Sequence, residues 1–282
     1  MKMTRRLILG SLSFAIASAC VTQAFAGGLM DRISTGKSIR IGFASEPPYG
    51  FPGENNEPLG IVNTYVVEVL RRMGYKNIEP VVTDWGGLIP GLQAGRFDVI
   101  TGGLAILQAR CANITFSEPM MKSPVALLVK PGNPEKISSF EDIAGKGLTM
   151  VTGAGYSMIG YAKKEGVPET NIMQVPGPTE IVAAVVAERA SAGVADYLSL
   201  REIAKKVGDK IEITDPDAMP EWTANYVGVG FNNDDKDFVA KFNAAQKLYL
   251  GTPAMMDALA TYGYDEKMLP GDKSSEWLCS NR

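Results

Sequence analysis

The stretch 88–110, LIPGLQAGRFDVITGGLAILQAR, ends on the side chain best suited to hold a charged small molecule, Arg110. A guanidinium stays charged at any working pH, and its planar fork meets a carboxylate through two parallel hydrogen bonds that an ammonium does not reproduce. The surrounding residues place it well. Leu88 and Leu92 with Gly95 beyond them predict a short helix, 98–100 (DVI) a short apolar strand, and Gly102-Gly103 a loop at that strand's carboxyl end. In open α/β sheets, ligands bind outside those ends. A solvated surface arginine is the other reading of the same residue.

The 282 residues include no histidine, which excludes His-based triads, His-ligated metals and His general bases. Gly153-Ala154-Gly155 lacks both the third glycine of a dinucleotide fingerprint and the lysine of a phosphate loop. No cofactor and no metal is expected.

The beginning, MKMTRRLILGSLSFAIASACVTQAFA, has a basic start, an apolar middle and a small-residue end at Ala24-Phe25-Ala26, the pattern of a cleavable secretory signal over residues 1–26. Arg5-Arg6 is compatible with twin-arginine export and equally with an ordinary signal. Cys20 lacks the leucine usual before a lipidated cysteine and is expected to leave with the signal. Lys2, Arg5 and Arg6 leave too, so 28 basic residues become 25 against 31 acidic ones. A mature chain of net charge near −6 makes nucleic acid an unsuitable partner. No later apolar run is long enough to cross a bilayer, because the run from Ile181 stops at Glu188-Arg189. Cys111 and Cys279 are then the only cysteines left in an oxidising compartment and are expected to pair. The bond would close a loop of 168 residues, worth roughly 4 to 5 kcal/mol by chain entropy. Two buried free thiols are the alternative.

The elements that must position these residues alternate between strand and helix, which predicts an α/β class. Strands are expected at 39–43, 78–82, 98–100 and 125–129, with helices at 60–73 and from Leu88. Lys130-Pro131-Gly132-Asn133-Pro134 reads as a boundary. The pattern then repeats: strands at 148–151, 172–175 and 191–194, helices at 157–164 and 179–189. A return strand is expected at 226–231 (YVGVGF), followed by helices at 236–250 and 253–262. Two lobes follow, residues 27–130 with 228–282 forming the first and 131–227 the second, with two crossings near 129–131 and 226–228 acting as a hinge beside a cleft.

Ser45-Glu46-Pro47-Pro48-Tyr49, LIPGLQAGRFDVITGG, Arg110-Cys111, Phe116-Ser117-Glu118-Pro119, Lys130-Pro131-Gly132-Asn133-Pro134 and Leu278-Cys279 together resemble the extracytoplasmic solute-binding proteins of polar amino-acid ABC importers, family 3, and within them the ectoine/hydroxyectoine-binding branch. The resemblance covers essentially the whole mature chain. It implies a two-lobed type II periplasmic binding protein fold, no enzymatic activity, a small zwitterionic ligand, an inner-membrane ABC permease as partner and a monomer. Arg110 then matches the arginine that grips the ligand's carboxylate, and Glu46 the acid that pairs with its cationic nitrogens. Tyr49 and Trp85 match aromatic walls, where a π-face attracts a diffuse cation by about 0.5 to 2 kcal/mol. A solvated loop acid and core or surface aromatics are the other readings of these three.

In lobe two, Gly155-Tyr156-Ser157 opens a helix whose backbone N–H groups and hydroxyl suit a carboxylate, although Ser157 could equally be only a cap. Two positions depart from the branch. Ala105 stands where the ectoine binders carry another aromatic wall, which predicts a wider pocket, with Tyr156, Tyr197 and Trp222 as replacements. Ser191 stands where many amino-acid binders place an aspartate for an α-ammonium group; Asp196 could substitute but reads more simply as a helix cap. The same fold also serves cyclohexadienyl dehydratases, in which case Glu46 or Asp196 would act as acid or base, and it serves receptors to which a bound ligand is presented.

Overall fold

The computed structural model describes residues 28–282. The expected signal over 1–26, the Arg5-Arg6 pair and Cys20 lie outside them. No helix among the described residues is long and apolar enough to cross a membrane.

Two five-stranded sheets organise the chain, and they share one pattern of strand directions, three parallel strands followed by an antiparallel fourth and an edge strand antiparallel to it. In the first, Ile39–Phe43 lies between Ile78–Val82 and Val99–Ile100, parallel to both, and Gly230–Phe231 then runs antiparallel between Val99–Ile100 and Thr115–Phe116. In the second, Met150–Gly153 lies between Ile172–Val175 and Ala192–Asp196, parallel to both, and Val125–Val129 runs antiparallel beside the third strand, with Glu212–Ile213 at the edge. Each parallel neighbour requires a crossover, and helices supply it. Ile61–Arg72 buries Ile61, Val62, Tyr65, Val66, Val69 and Leu70, spaced so that one stripe of the helix faces the core. Ser157–Lys164 and Pro178–Val186 play the same part in the second lobe, the latter opening on proline, which lacks only an N–H that the first turn leaves unpaired anyway.

The lobes are joined by a pair of antiparallel strands, Met121–Ser123 and Asn225–Val227, with Asn225 opposite Ser123. Two expectations change here. Val125–Val129, placed in lobe one by the sequence, is a strand of the second sheet, so the first crossing precedes it rather than following it at 129–131. Its five fully buried residues fit a central strand covered on both faces. The expected strand 226–231 is two strands: Asn225–Val227 belongs to the crossing and Gly230–Phe231 to the first sheet. Gly228 sits at the break, where a Cβ would lie 2.9 Å from Ile106.

Cys111 and Cys279 are bonded, with 5.7 Å between their Cα atoms. The bond fastens helix Ser275–Asn281 to the short helix Gln108–Cys111 that carries Arg110.

Candidate functional site

The cleft lies where the carboxyl ends of both sheets face one another. It holds about 380 Å3 of atom-free space including its mouth. Lobe one contributes the loop after Ile39–Phe43, the turn at Trp85 and the segment 102–110. A tight turn closes Glu46 on Gly50, with Glu46 N–H donating to the Gly50 carbonyl at 2.7 Å and Tyr49 N–H to the Glu46 carbonyl at 2.8 Å. The turn buries the Glu46 carboxyl and stands the Tyr49 ring against Gly103. Gly103 has φ +102°, and a Cβ there would come within 3.1 Å of Tyr49, so both the backbone region and the close approach call for glycine. The Tyr49 hydroxyl bonds Ser123 of the crossing strands.

Arg110 is 8 % exposed. Its Nη1 donates to the Ala105 carbonyl at 2.9 Å within lobe one, and its Nη2 to the Gly155 carbonyl of lobe two at 3.0 Å. Trp85 Nε1 donates to that same carbonyl at 3.4 Å, and the Arg110 guanidinium stands 5.8 Å from the Trp85 ring centre. Gly155, at φ +78°, turns its carbonyl toward both donors. These contacts, with the Tyr156 hydroxyl donating to Glu46 Oε1, close the lobes on each other.

On the lobe-two side, Tyr156 rather than Ser157 holds the cap position of helix Ser157–Lys164 and makes no side-chain cap bond. Ser157 is therefore not the cap; its hydroxyl donates to Asn225 Oδ1 at 2.9 Å. Asp196 occupies the cap position of helix Tyr197–Val207 but its carboxyl does not cap either. It accepts from Asn225 Nδ2 at 3.0 Å and faces the cleft.

Three charges thus meet in one small space. Burial pushes the Glu46 carboxyl up to about 7, the Tyr156 hydrogen bond opposing and the negative charges of Asp196 and Glu180 adding to the rise. Burial likewise raises Asp196 to about 6 against hydrogen bonds from Asn225 and Ser123 and the charge of Arg110. Burial lowers Arg110 to about 10, which leaves it cationic at neutral pH. Two acids and one guanidinium can accept a ligand carrying one carboxylate and cationic nitrogen. Among the described residues no group of His, Cys, Asp and Glu could hold a metal ion.

Glu46, Tyr49, Trp85, Gly103, Ala105, Arg110 and Ser157 all line the cleft, and Gly155 supplies the carbonyl that Arg110 and Trp85 share. Gly102, Met158, Ala195, Asp196, Ser199 and Asn225 line it as well. Of the three expected replacements for a wall at Ala105, Tyr156 lines the same cleft, reaching across from lobe two to pack edge-on to Trp85 with ring centres 5.2 Å apart. Tyr197 and Trp222 face other depressions. The expectation built on Ser191 is also overturned: Ser191 lies beside Val129, Lys130 and Glu188, away from the cleft, and Asp196 holds the facing carboxylate. The signal for Asp196 was its place at the end of an apolar strand, the same rule that pointed to Gly102-Gly103.

Residues 39–250 match the model of the bacterial extracellular solute-binding proteins, family 3. A "Probable amino-acid ABC transporter periplasmic-binding protein" of Sinorhizobium fredii is 31% identical over 97% of this chain and 93% of its own length. The L-cystine-binding protein TcyJ of Escherichia coli is 23% identical over 86% of this chain and 88% of its own. Among solved structures, EhuB in complex with hydroxyectoine superposes with a TM-score of 0.81 at 24% identity, covering 90% of this chain and 98% of that one. An ancestral amino acid-binding protein described as a precursor of cyclohexadienyl dehydratase gives 0.71 at 26% identity over 83% and 98%.

Proposed function

Because the chain belongs to the bacterial extracellular solute-binding proteins of family 3 and is a solute-binding protein of the amino-acid ABC transporter class, we propose that its cleft captures a compact zwitterion, ectoine, hydroxyectoine or a related amino-acid-like compound. The observation that carries this reading is the meeting of Arg110 and Glu46 from lobe one with Asp196 from lobe two in a small closed cleft. Arg110 and the backbone N–H groups at the start of helix Ser157–Lys164 take the carboxylate; Glu46 and Asp196 take the cationic nitrogen; Tyr49, Trp85 and Tyr156 form the walls. The ligand touches both lobes, so it favours the closed arrangement over the open one. The hydroxyectoine complex of EhuB supports a cyclic zwitterion of this size. Asp196 extends the reading to open-chain amino acids, whose α-ammonium it suits.

The protein acts as an exported monomer, its first 26 residues removed, and hands the ligand to an inner-membrane ABC permease without altering it. Thermal unfolding of the purified protein against ectoine, hydroxyectoine, betaine, proline, L-cystine and the standard amino acids tests the reading, since a ligand of the folded state raises the midpoint by mass action. A rise with one zwitterion, followed by calorimetric titration with the same compound, supports it. No rise with any of them, or turnover of added prephenate, overturns it.

A further inference from the structure

Arg282, three residues beyond the bonded Cys279, takes no part in the cleft but holds Tyr161 and Ala224, which stand behind its lining. Its Nη2 donates to the Tyr161 hydroxyl at 3.1 Å and to the Ala224 carbonyl at 2.8 Å. Its own carbonyl accepts from Gln108 N–H at 2.8 Å, on the helix that carries Arg110. The residue is thus tied to lobe one through its backbone and through the neighbouring disulfide, and to lobe two and the crossing strands through its guanidinium.

Beyond Tyr161 the hydrogen bonds form one directed series. A guanidinium only donates, so the Tyr161 oxygen accepts from Arg282 and its single proton is left for Asn225 Oδ1, 2.7 Å away. Ser157 also donates to Asn225 Oδ1. With its oxygen taken by two hydroxyls, the buried amide presents Nδ2 to Asp196 Oδ1 at 3.0 Å. We propose that Arg282 is a positioning residue for the ligand-facing Asp196, acting through Tyr161 and Asn225 to keep an N–H donor aimed at its carboxylate and so hold it as an acceptor toward the cleft. The role of Asp196 toward a ligand rests on the function proposed above; the polarity of the series does not.

Several other groups face Asp196 and set the background against which this donor acts. Arg110 favours the ionised form, Glu46 opposes it, the Tyr49, Tyr156 and Tyr161 hydroxyls stand close by, and Ser123 donates from the opposite crossing strand. None of them depends on Arg282 except Tyr161.

The test follows the carboxyl carbon resonance of Asp196 with pH in ligand-free, oxidised protein labelled at aspartate, the resonance being identified by its absence from Asp196→Asn. The wild-type midpoint is expected near 6. Arg282→Ala is expected to raise it by about half a pH unit or more, the scale for loss of one hydrogen bond to a carboxylate. Tyr161→Phe, which keeps the Arg282 charge and breaks the series, is expected to move it the same way, and so is the Cys111→Ser/Cys279→Ser pair, which releases the anchor. Arg282→Lys, a donor of the same charge, is expected to restore the wild-type value. Midpoints unchanged or lowered in both Arg282→Ala and Tyr161→Phe overturn the proposal, and Tyr161→Phe decides alone if Arg282→Ala does not fold. A shifted midpoint combined with undiminished zwitterion binding by Asp196→Asn would instead leave this inference standing and remove Asp196 from the proposed ligand set.

Discussion

Replacing Glu46 by glutamine should make the ligand-free protein more stable at alkaline pH while weakening its hold on a cation. The glutamine keeps the shape and an oxygen for the Tyr156 hydroxyl to donate to. What it removes is a charge that burial disfavours. The carboxyl rises from 4.5 to about 7 in the folded protein, chiefly through desolvation and further through Asp196 and Glu180. A carboxyl raised on folding holds its proton more tightly in the native state, so its favourable contribution is complete below pH 4.5 and is lost as pH climbs through 7. At about 1.4 kcal/mol per pH unit, the interval corresponds to roughly 3 kcal/mol. For a protein of this size that is on the order of 6 to 12 °C in melting temperature. Thermal unfolding of both proteins between about pH 4 and pH 8 measures it: Glu46→Gln and wild type should melt together at the acid end, separate progressively, the variant higher, as pH climbs from 4.5 to about 7, and keep a constant gap above that. Ligand-free wild type melting at or above the variant at the alkaline end would refute the reasoning, because the carboxyl would then be solvated or already paired. The same variant should bind the zwitterion more weakly, and wild-type affinity should strengthen as pH rises through 7, where the free carboxyl ionises.

Arg110→Ala is expected to weaken zwitterion binding by about 2 to 5 kcal/mol in calorimetry, with Arg110→Lys in between because it keeps the charge and loses the fork; an unchanged affinity removes Arg110 from the site. The Cys111→Ser/Cys279→Ser pair should unfold with about 5 kcal/mol less stability than the oxidised protein, and reductant should lower the wild-type melting temperature while leaving the variant's alone; equal melting curves would show that the bond contributes nothing. Gly103→Ala, forced into φ +102° with its Cβ 3.1 Å from Tyr49, should cost about 1 to 3 kcal/mol and displace the Tyr49 wall, read as a lower melting temperature together with lost affinity. A variant as stable as wild type would mean that the loop relaxes freely.

Long apolar or periodic runs were readable before the fold was known. Ile78–Val82, Ile172–Val175 and Ser157–Lys164 fall where apolar spacing and flanking glycines placed them. Thr115–Phe116 and Glu212–Ile213 are two residues long and owe their conformation to a distant partner, so no local pattern announces them. The crossing strands misled for a related reason: YVGVGF alternates like a single strand, but its first half pairs with Met121–Ser123 and its end joins the first sheet, with Gly228 at the break. At the cleft, Arg110 stood out by its place after a Gly-Gly loop at a strand's carboxyl end, although a solvated surface arginine fits the same residues and the family resemblance was needed to favour the cleft. Asp196 was read as a cap because a local motif explained it, whereas its partner Asn225 lies 29 positions away. Tyr156 was named only as one of three candidates for the wall missing at Ala105, because nothing local distinguishes a tyrosine that crosses a cleft from one that lies on a surface.

The ring closed by Cys111–Cys279 spans 168 positions, and the whole second sheet lies inside it. The second lobe is therefore one uninterrupted run of chain, whereas the first sheet has Gly230–Phe231 wedged between strands made more than a hundred residues earlier. Assembly is then ordered from the inside out: the inserted lobe has every strand it needs before the host lobe can complete its sheet. The disulfide, joining a residue before the insertion to one near the end of the sequence, works as a latch on a finished assembly rather than a seed for it.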